Sequence, residues 1–144
     1  MVNNGDQFVY LIRPRRFGKS VLVDTLQMYL EGRKELFDGL KIMDMEEDWT
    51  RHPVIRLDMS RGGASVEEIK SYLNNVFKSY EKDYHINISP EDTLSVRFDN
   101  IIKAAYNTSG QQVAILIDEY DSPLQHSWKT PEHDGCTAIY RSVF

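Results

Sequence analysis

Residues 13–20 read Arg13-Pro14-Arg15-Arg16-Phe17-Gly18-Lys19-Ser20, a basic stretch with one glycine set between two apolar runs. Before it runs Phe8-Val9-Tyr10-Leu11-Ile12, and after it Val21-Leu22-Val23-Asp24-Thr25-Leu26-Gln27-Met28-Tyr29-Leu30. The order is strand, tight loop, helix, the setting a phosphate-binding loop requires. Amides at the helix N-terminus and the helix dipole attract an anion, Gly18 lets the backbone come close, and Lys19 reaches the outer phosphates. Ser20 is then placed to hold magnesium through its hydroxyl.

The stretch departs from the usual loop pattern in one respect. Where that pattern has its first glycine, this chain has Arg13, and the following Pro14 biases Arg13 towards extended backbone and removes one amide donor. Arg15 and Arg16 are side-chain substitutes for the lost donors. A Gly-Lys-Ser or Gly-Lys-Thr tripeptide arises by composition in roughly one chain in fifteen of this length. The tripeptide alone therefore leaves a plain strand-to-helix turn open beside nucleotide binding.

Composition narrows the class. The 144 residues suffice for one domain, burying about two-thirds of the surface exposed by the unfolded chain. An apolar fraction of 41% and a charged fraction of 27% belong to an ordinary globular protein. The net charge of -5 argues against a protein built to coat nucleic acid. Arg13, Arg15, Arg16 and Lys19 still form a local basic cluster, and cations at a helix N-terminus oppose the dipole unless an anion sits there. Cys136 is the only cysteine, so an internal disulfide is excluded and a reducing compartment fits. Met1-Val2-Asn3-Asn4-Gly5-Asp6 does not read as a signal peptide. No apolar run is long enough to cross a bilayer. A cytoplasmic location without a membrane partner is expected.

Further along, Arg33-Lys34-Glu35-Leu36-Phe37 with Leu40 and Ile42 predicts a short second helix and a loop. An acidic stretch carrying Trp49 follows. Val54-Ile55-Arg56-Leu57-Asp58-Met59 is a β-branched run that predicts a strand over 54–59. Ser65-Val66-Glu67-Glu68 is a capping box, opening a helix with Val66, Ile69, Leu73, Val76, Phe77 and Tyr80 on its buried face. Tyr72 and Tyr84 lie beside that stripe and are assigned to packing. Ser89-Pro90-Glu91-Asp92 predicts another helix start, with Ser89 as the cap. Leu94, Phe98, Ile101, Ile102 and Ala105 mark its buried face, and it ends near 107–110.

The second informative stretch is Gln112-Val113-Ala114-Ile115-Leu116-Ile117-Asp118-Glu119-Tyr120-Asp121. Consecutive apolar residues without alternation predict a strand over 113–118 covered on both faces, the habit of parallel sheets. Acids at the carboxyl end of such a strand face the crevice where these sheets bind ligands. This is the pattern called Walker B, in which Asp118 binds magnesium and Glu119 polarises the water that attacks the γ-phosphate. The acids alone also suit a turn before Ser122-Pro123. Joined in order to Gly18-Lys19-Ser20, with helices between, they favour the nucleotide.

Residues 12–20, Leu36-Phe37-Asp38-Gly39-Leu40, Trp49, Pro53-Val54-Ile55 and Leu116-Ile117-Asp118-Glu119-Tyr120-Asp121 together resemble the bacterial AAA-ATPase-like family. These are divergent P-loop proteins, often with a restriction-endonuclease-like domain at the C-terminus. The resemblance covers almost the whole chain, and in this family an arginine usually stands where Arg13 does. It implies an α/β, partial P-loop NTPase fold, with a mostly parallel sheet built from strands near 8–13, 54–59 and 113–118. The nucleotide site it implies has Arg13, Pro14, Arg15, Arg16, Phe17, Gly18, Lys19 and Ser20 around ATP. Ser20 and Asp118 would hold Mg2+, and Lys19 and Glu119 would be the catalytic pair.

The resemblance also implies a chain, 1–144, that is one domain truncated at both ends. In related P-loop ATPases the strand after Walker B lies between the loop strand and the Walker B strand and carries a sensor residue; no segment after Asp118 reads as that strand. An unfilled slot would leave backbone groups unpaired, so the strands close up, the edges stay exposed, or a partner chain fills the gap. Thr137 to Phe144 reads as the start of a helix. Turnover of nucleoside triphosphate is expected only in the longer protein. Two other classes remain open at this stage: a nucleic-acid module using Arg13, Arg15 and Arg16, tied to a C-terminal nuclease domain, and a nucleotide-dependent assembly protein without turnover. His52, His85, His126 and His133 have no partner at metal-ligand spacing, and Cys136 near His133 is not a zinc site.

Overall fold

The computed structural model describes residues 9–11 and 18–144. Its centre is a pair of parallel strands, β1 (Val54–Asp58) and β2 (Ala114–Asp118). They run in register from Val54 opposite Ala114 to Asp58 opposite Asp118. The chain between them forms α2 (Val66–Asp83) and α3 (Leu94–Ser109), the long helical crossover that parallel strands need.

Alternation along β1 sorts its two faces. Ile55 and Leu57 are fully buried against a core of Ile69, Leu73 and Phe77 from α2 and Phe98 and Ile101 from α3. Cys136, Ile139, Tyr140 and Val143 complete that core from α5 (His133–Val143). Arg56 points to the other face, where its guanidinium meets Asp24 at 2.5 Å and Gln27 at 3.0 Å, both on α1 (Lys19–Leu30). The result is an α/β arrangement of three layers: α1, the sheet, and the layer of α2, α3 and α5. A short helix, α4 (Ser122–Ser127), leads from β2 towards α5.

The outer edge of β1 is closed by α2. The hydroxyls of Tyr80 and Tyr72 each accept a hydrogen bond at 2.8 Å, from the amides of Arg56 and Asp58. Strand edges left open invite pairing with other chains, and here side-chain hydroxyls take the place of a further strand. Tyr72, Tyr80 and Tyr84 pack on the core, as expected of them.

Three local features hold the layers in place. The capping box is present: the Ser65 hydroxyl accepts from the Glu68 amide, and the Glu68 carboxylate accepts from the Ser65 amide. Between α2 and α3, Arg97 donates to both carboxylate oxygens of Glu81 at 2.6 and 2.8 Å, and both residues are buried. Arg97 also donates to Asn74 and stacks 5.8 Å from the Phe77 ring. A buried guanidinium is tolerable because its planar fork is satisfied on both sides. After α1, Gly32 adopts φ 66, and a Cβ there would lie 2.9 Å from the Trp49 carbonyl. That close turn lets Trp49 pack against Tyr29 and Phe37, with ring centroids 5.6 and 5.2 Å away.

Several expectations need correction. Residues 33–42 form no α-helix but two one-turn 3₁₀ segments, Lys34–Phe37 and Lys41–Asp44, separated by Gly39 at φ 74. The second crossover helix begins at Leu94, with Thr93 rather than Ser89 as its cap. The Ser89 amide instead donates to Asp92, whose amide returns a bond to the Ser89 carbonyl, so 89–92 is spent on a turn before the helix starts. The last helix starts at His133, four residues ahead of Thr137, and belongs to the core.

Nor is β2 covered on both faces. Ile115 is 39% exposed although its register partner Ile55 is fully buried, because the helical layer centres on β1. Of the predicted strand at 8–13, Val9, Tyr10 and Leu11 are exposed and lack regular structure, and the other residues lie outside those described. Among the described residues, β1 is the only strand that pairs with β2.

The cap assignment has a direct test in urea unfolding. Thr93→Ala is expected to destabilise by about 1 kcal/mol and Ser89→Ala by less than about 0.5 kcal/mol. The reverse order would return the cap to Ser89.

Candidate functional site

The site lies at the carboxyl ends of the two strands, where the N-terminus of α1 arrives on the same side. Lys19 is the first residue of α1, and Gly18 caps it with φ 71 and ψ 26. No acidic residue occupies the first turn and no side chain caps it. The helix therefore presents its amides and partial positive charge without a local counter-charge.

Opposite it, β2 ends at Asp118, which is buried at 7% exposure. Among the described residues, the Asp118 carboxylate accepts one hydrogen bond, at 3.0 Å from the amide of Glu119. Glu119 leaves the strand in left-handed backbone at φ 49, a conformation that costs a side-chain-bearing residue about 1 kcal/mol. Its carbonyl is held by the Ser122 amide at 2.9 Å, which fixes the turn into α4. Tyr120 then packs edge-on against Tyr140 and Phe144, with centroids 5.1 and 5.8 Å away. Burial pushes the Tyr120 and Tyr140 phenols above their ordinary range, so both stay neutral anchors for this turn.

The two halves meet through one ion pair. Lys19 Nζ lies 3.1 Å from Glu119 Oε1, with the two side chains 24% and 39% exposed. This contact joins residues that are far apart along the chain and belong to different layers. The sheet register sets a third acid beside them, Asp58, directly opposite Asp118. Asp58 is engaged with Ser60, accepting from its amide at 3.1 Å and its hydroxyl at 2.6 Å. Sequence reasoning gave Asp58 no role; its place as the terminal acid of a predicted strand was the available signal.

Of the sequence-derived site residues, Gly18, Lys19, Asp118 and Glu119 are gathered here. Ser20, next to Lys19 on α1, is exposed. Arg13, Pro14, Arg15, Arg16 and Phe17 lie outside the described residues. No group of three His, Cys, Asp or Glu side chains at metal-binding spacing occurs among the described residues. Magnesium bound with a nucleotide keeps waters and phosphate oxygens and takes only one or two protein ligands. An aspartate with a spare carboxylate oxygen and a helix N-terminal serine are donors of the right type.

Comparison with known proteins places the chain. A family model described as "Predicted AAA-ATPase" matches residues 1–144. An uncharacterized protein in the vnfD 5′ region of Azotobacter chroococcum mcd 1 is 31% identical over 150 residues, which cover 99% of this chain and 28% of that protein. The chain thus spans little more than a quarter of that relative. No solved structure matches it significantly. Among the described residues, no helix is long and apolar enough to cross a membrane.

Gly18 can be tested by substitution. Among the described residues, a Cβ at Gly18 would meet nothing within 4 Å, whereas one at Gly32 would collide with the Trp49 carbonyl and Arg51. Gly18→Ala is therefore expected to cost only the left-handed backbone term, about 1–2 kcal/mol. Gly32→Ala should cost more than that in the same urea titration. Equal costs would show that the steric account of the two turns is wrong.

Proposed function

This chain belongs to the AAA-ATPase-like family, and from that membership we propose that it forms the ATP-binding part of a magnesium-dependent nucleoside triphosphate hydrolase. The observation that carries the proposal is the approach of Lys19 to Glu119 beside the buried Asp118. Family membership supports nucleotide binding in general terms; ATP as the nucleotide, magnesium as its metal and the roles below are our reading.

When bound, ATP supplies the scissile phosphoanhydride bond, and Mg2+ neutralises the charge on its outer oxygens. The chain's own groups divide the remaining work. The α1 N-terminus and Gly18 receive phosphate oxygens on backbone amides. Lys19 holds the outer phosphates with a charge-assisted bond. Ser20 and Asp118 supply the protein's oxygen ligands to the metal. Glu119 orients a water and accepts its proton as the oxygen attacks the γ-phosphorus. Arg13, Arg15 and Arg16 would add positive charge around the phosphates. The turnover step is proposed for the longer protein, of which this chain corresponds to a fraction.

The expected result is that Lys19→Ala weakens binding of ATP about ten- to hundredfold, since a charged hydrogen bond contributes about 1.5–3 kcal/mol. Isothermal titration calorimetry reads this directly, and equal affinities would remove the nucleotide reading. In the full-length protein, Glu119→Gln is expected to bind ATP yet lose its hydrolysis. Retention of hydrolysis would remove Glu119 from the role of base.

A further inference from the structure

Lys19 already holds a carboxylate where the proposed function would have it hold a phosphate. We infer that Glu119 is an internal occupant of the anion site, latched to Lys19 until a triphosphate displaces it. This inference rests on the nucleotide reading above and adds an order of events to it.

The geometry argues for a latch in three ways. First, the α1 N-terminus lacks any acid or cap of its own, and among the described residues Glu119, 3.1 Å from Lys19, is the carboxylate that answers its positive end. Second, Glu119 reaches that position from left-handed backbone beyond the last residue of β2, where it is no longer bound to the alternation of the strand. Third, the pair is neither deeply buried nor free, with side-chain exposures of 24% and 39%. An ion pair in that setting is weak, so a polyphosphate can exchange with it. By contrast, the Arg97–Glu81 pair is 7% and 2% exposed and doubly bonded, which suits a permanent brace.

The consequence is a coupling between occupancy and chemistry. While Lys19 holds Glu119 Oε1, that oxygen is engaged by the ammonium and not open to a water. An arriving terminal phosphate takes Lys19 and releases Glu119 at the moment when there is a bond to hydrolyse. When the phosphate leaves, Glu119 returns. The latch thus taxes nucleotide affinity modestly and keeps the base idle in the empty site.

A double-mutant cycle separates this from simple repulsion between Glu119 and phosphate. The wild type, Glu119→Gln, Lys19→Ala and the double variant are titrated calorimetrically with magnesium and a non-hydrolysable ATP analogue. Releasing a partly exposed ion pair should tighten binding about two- to fivefold in Glu119→Gln. In the Lys19→Ala background the same change should leave affinity unaltered. Equal tightening in both backgrounds, or none in the first, would overturn the latch. Failure of both the wild type and Glu119→Gln to bind would instead overturn the nucleotide reading beneath it. A second measurement needs no nucleotide: acylation of the Lys19 amine, followed by peptide mass spectrometry, should be faster in Glu119→Gln than in the wild type. Equal rates would also overturn the latch.

Discussion

Everything in this molecule depends on the parallel pairing of β1 with β2 in one register. A slip by a single residue would turn Ile55 and Leu57 away from the helices and move Asp118 off the end of the sheet. With the observed register, both strands finish together at Asp58 and Asp118, and the next residue, Glu119, falls within reach of Lys19 on α1. The core specifies that register. Ile55 and Leu57 are fully buried, and burying each such side chain is worth roughly 1.5–3 kcal/mol. The tyrosine hydroxyls of α2 fix the outer edge of β1 at the same time.

The two faces of the sheet have different tasks. The face towards α2, α3 and α5 is apolar, closely packed and braced by the Arg97–Glu81 pair. The face towards α1 is less closely covered: Val54, Ala114 and Leu116 are half-buried, Arg56 bridges to Asp24 and Gln27, and Leu30 is the buried residue of α1. A helix held in this way is the one whose N-terminus meets the acids. The closely packed contacts lie behind the strands, and the partly exposed Lys19–Glu119 pair lies at their ends. That division is common where a scaffold positions groups that must move.

Much of this was legible in the chain. The apolar run before Asp118 and the β-branched run before Asp58 carry their own signal of parallel strands, and the Ser65-to-Glu68 spacing marks a helix start unambiguously. What was not legible depends on tertiary neighbours. Ser89 and Thr93 are both competent caps, and only the turn closed by Asp92 decides between them. Glu81 and Arg97 lie on different helices and look like surface charges until the helices pack. The hydroxyls of Tyr72 and Tyr80 meet backbone amides whose direction no residue type encodes. The half-exposed Ile115 shows the limit of inferring burial from composition, because an apolar run tells that a strand is coverable but not where the helices centre. Family resemblance, by contrast, was carried by short motifs and agrees with the family model that matches 1–144.

In the proposed function the α1 N-terminus and the acid tips of the sheet enclose one triphosphate and its metal. A crystal structure with magnesium and a non-hydrolysable ATP analogue tests it most directly. Phosphate oxygens are expected within about 3 Å of Lys19 Nζ, with Asp118 directed at the metal. A nucleotide bound elsewhere, with its phosphates remote from Lys19 and from the ends of β1 and β2, would contradict it.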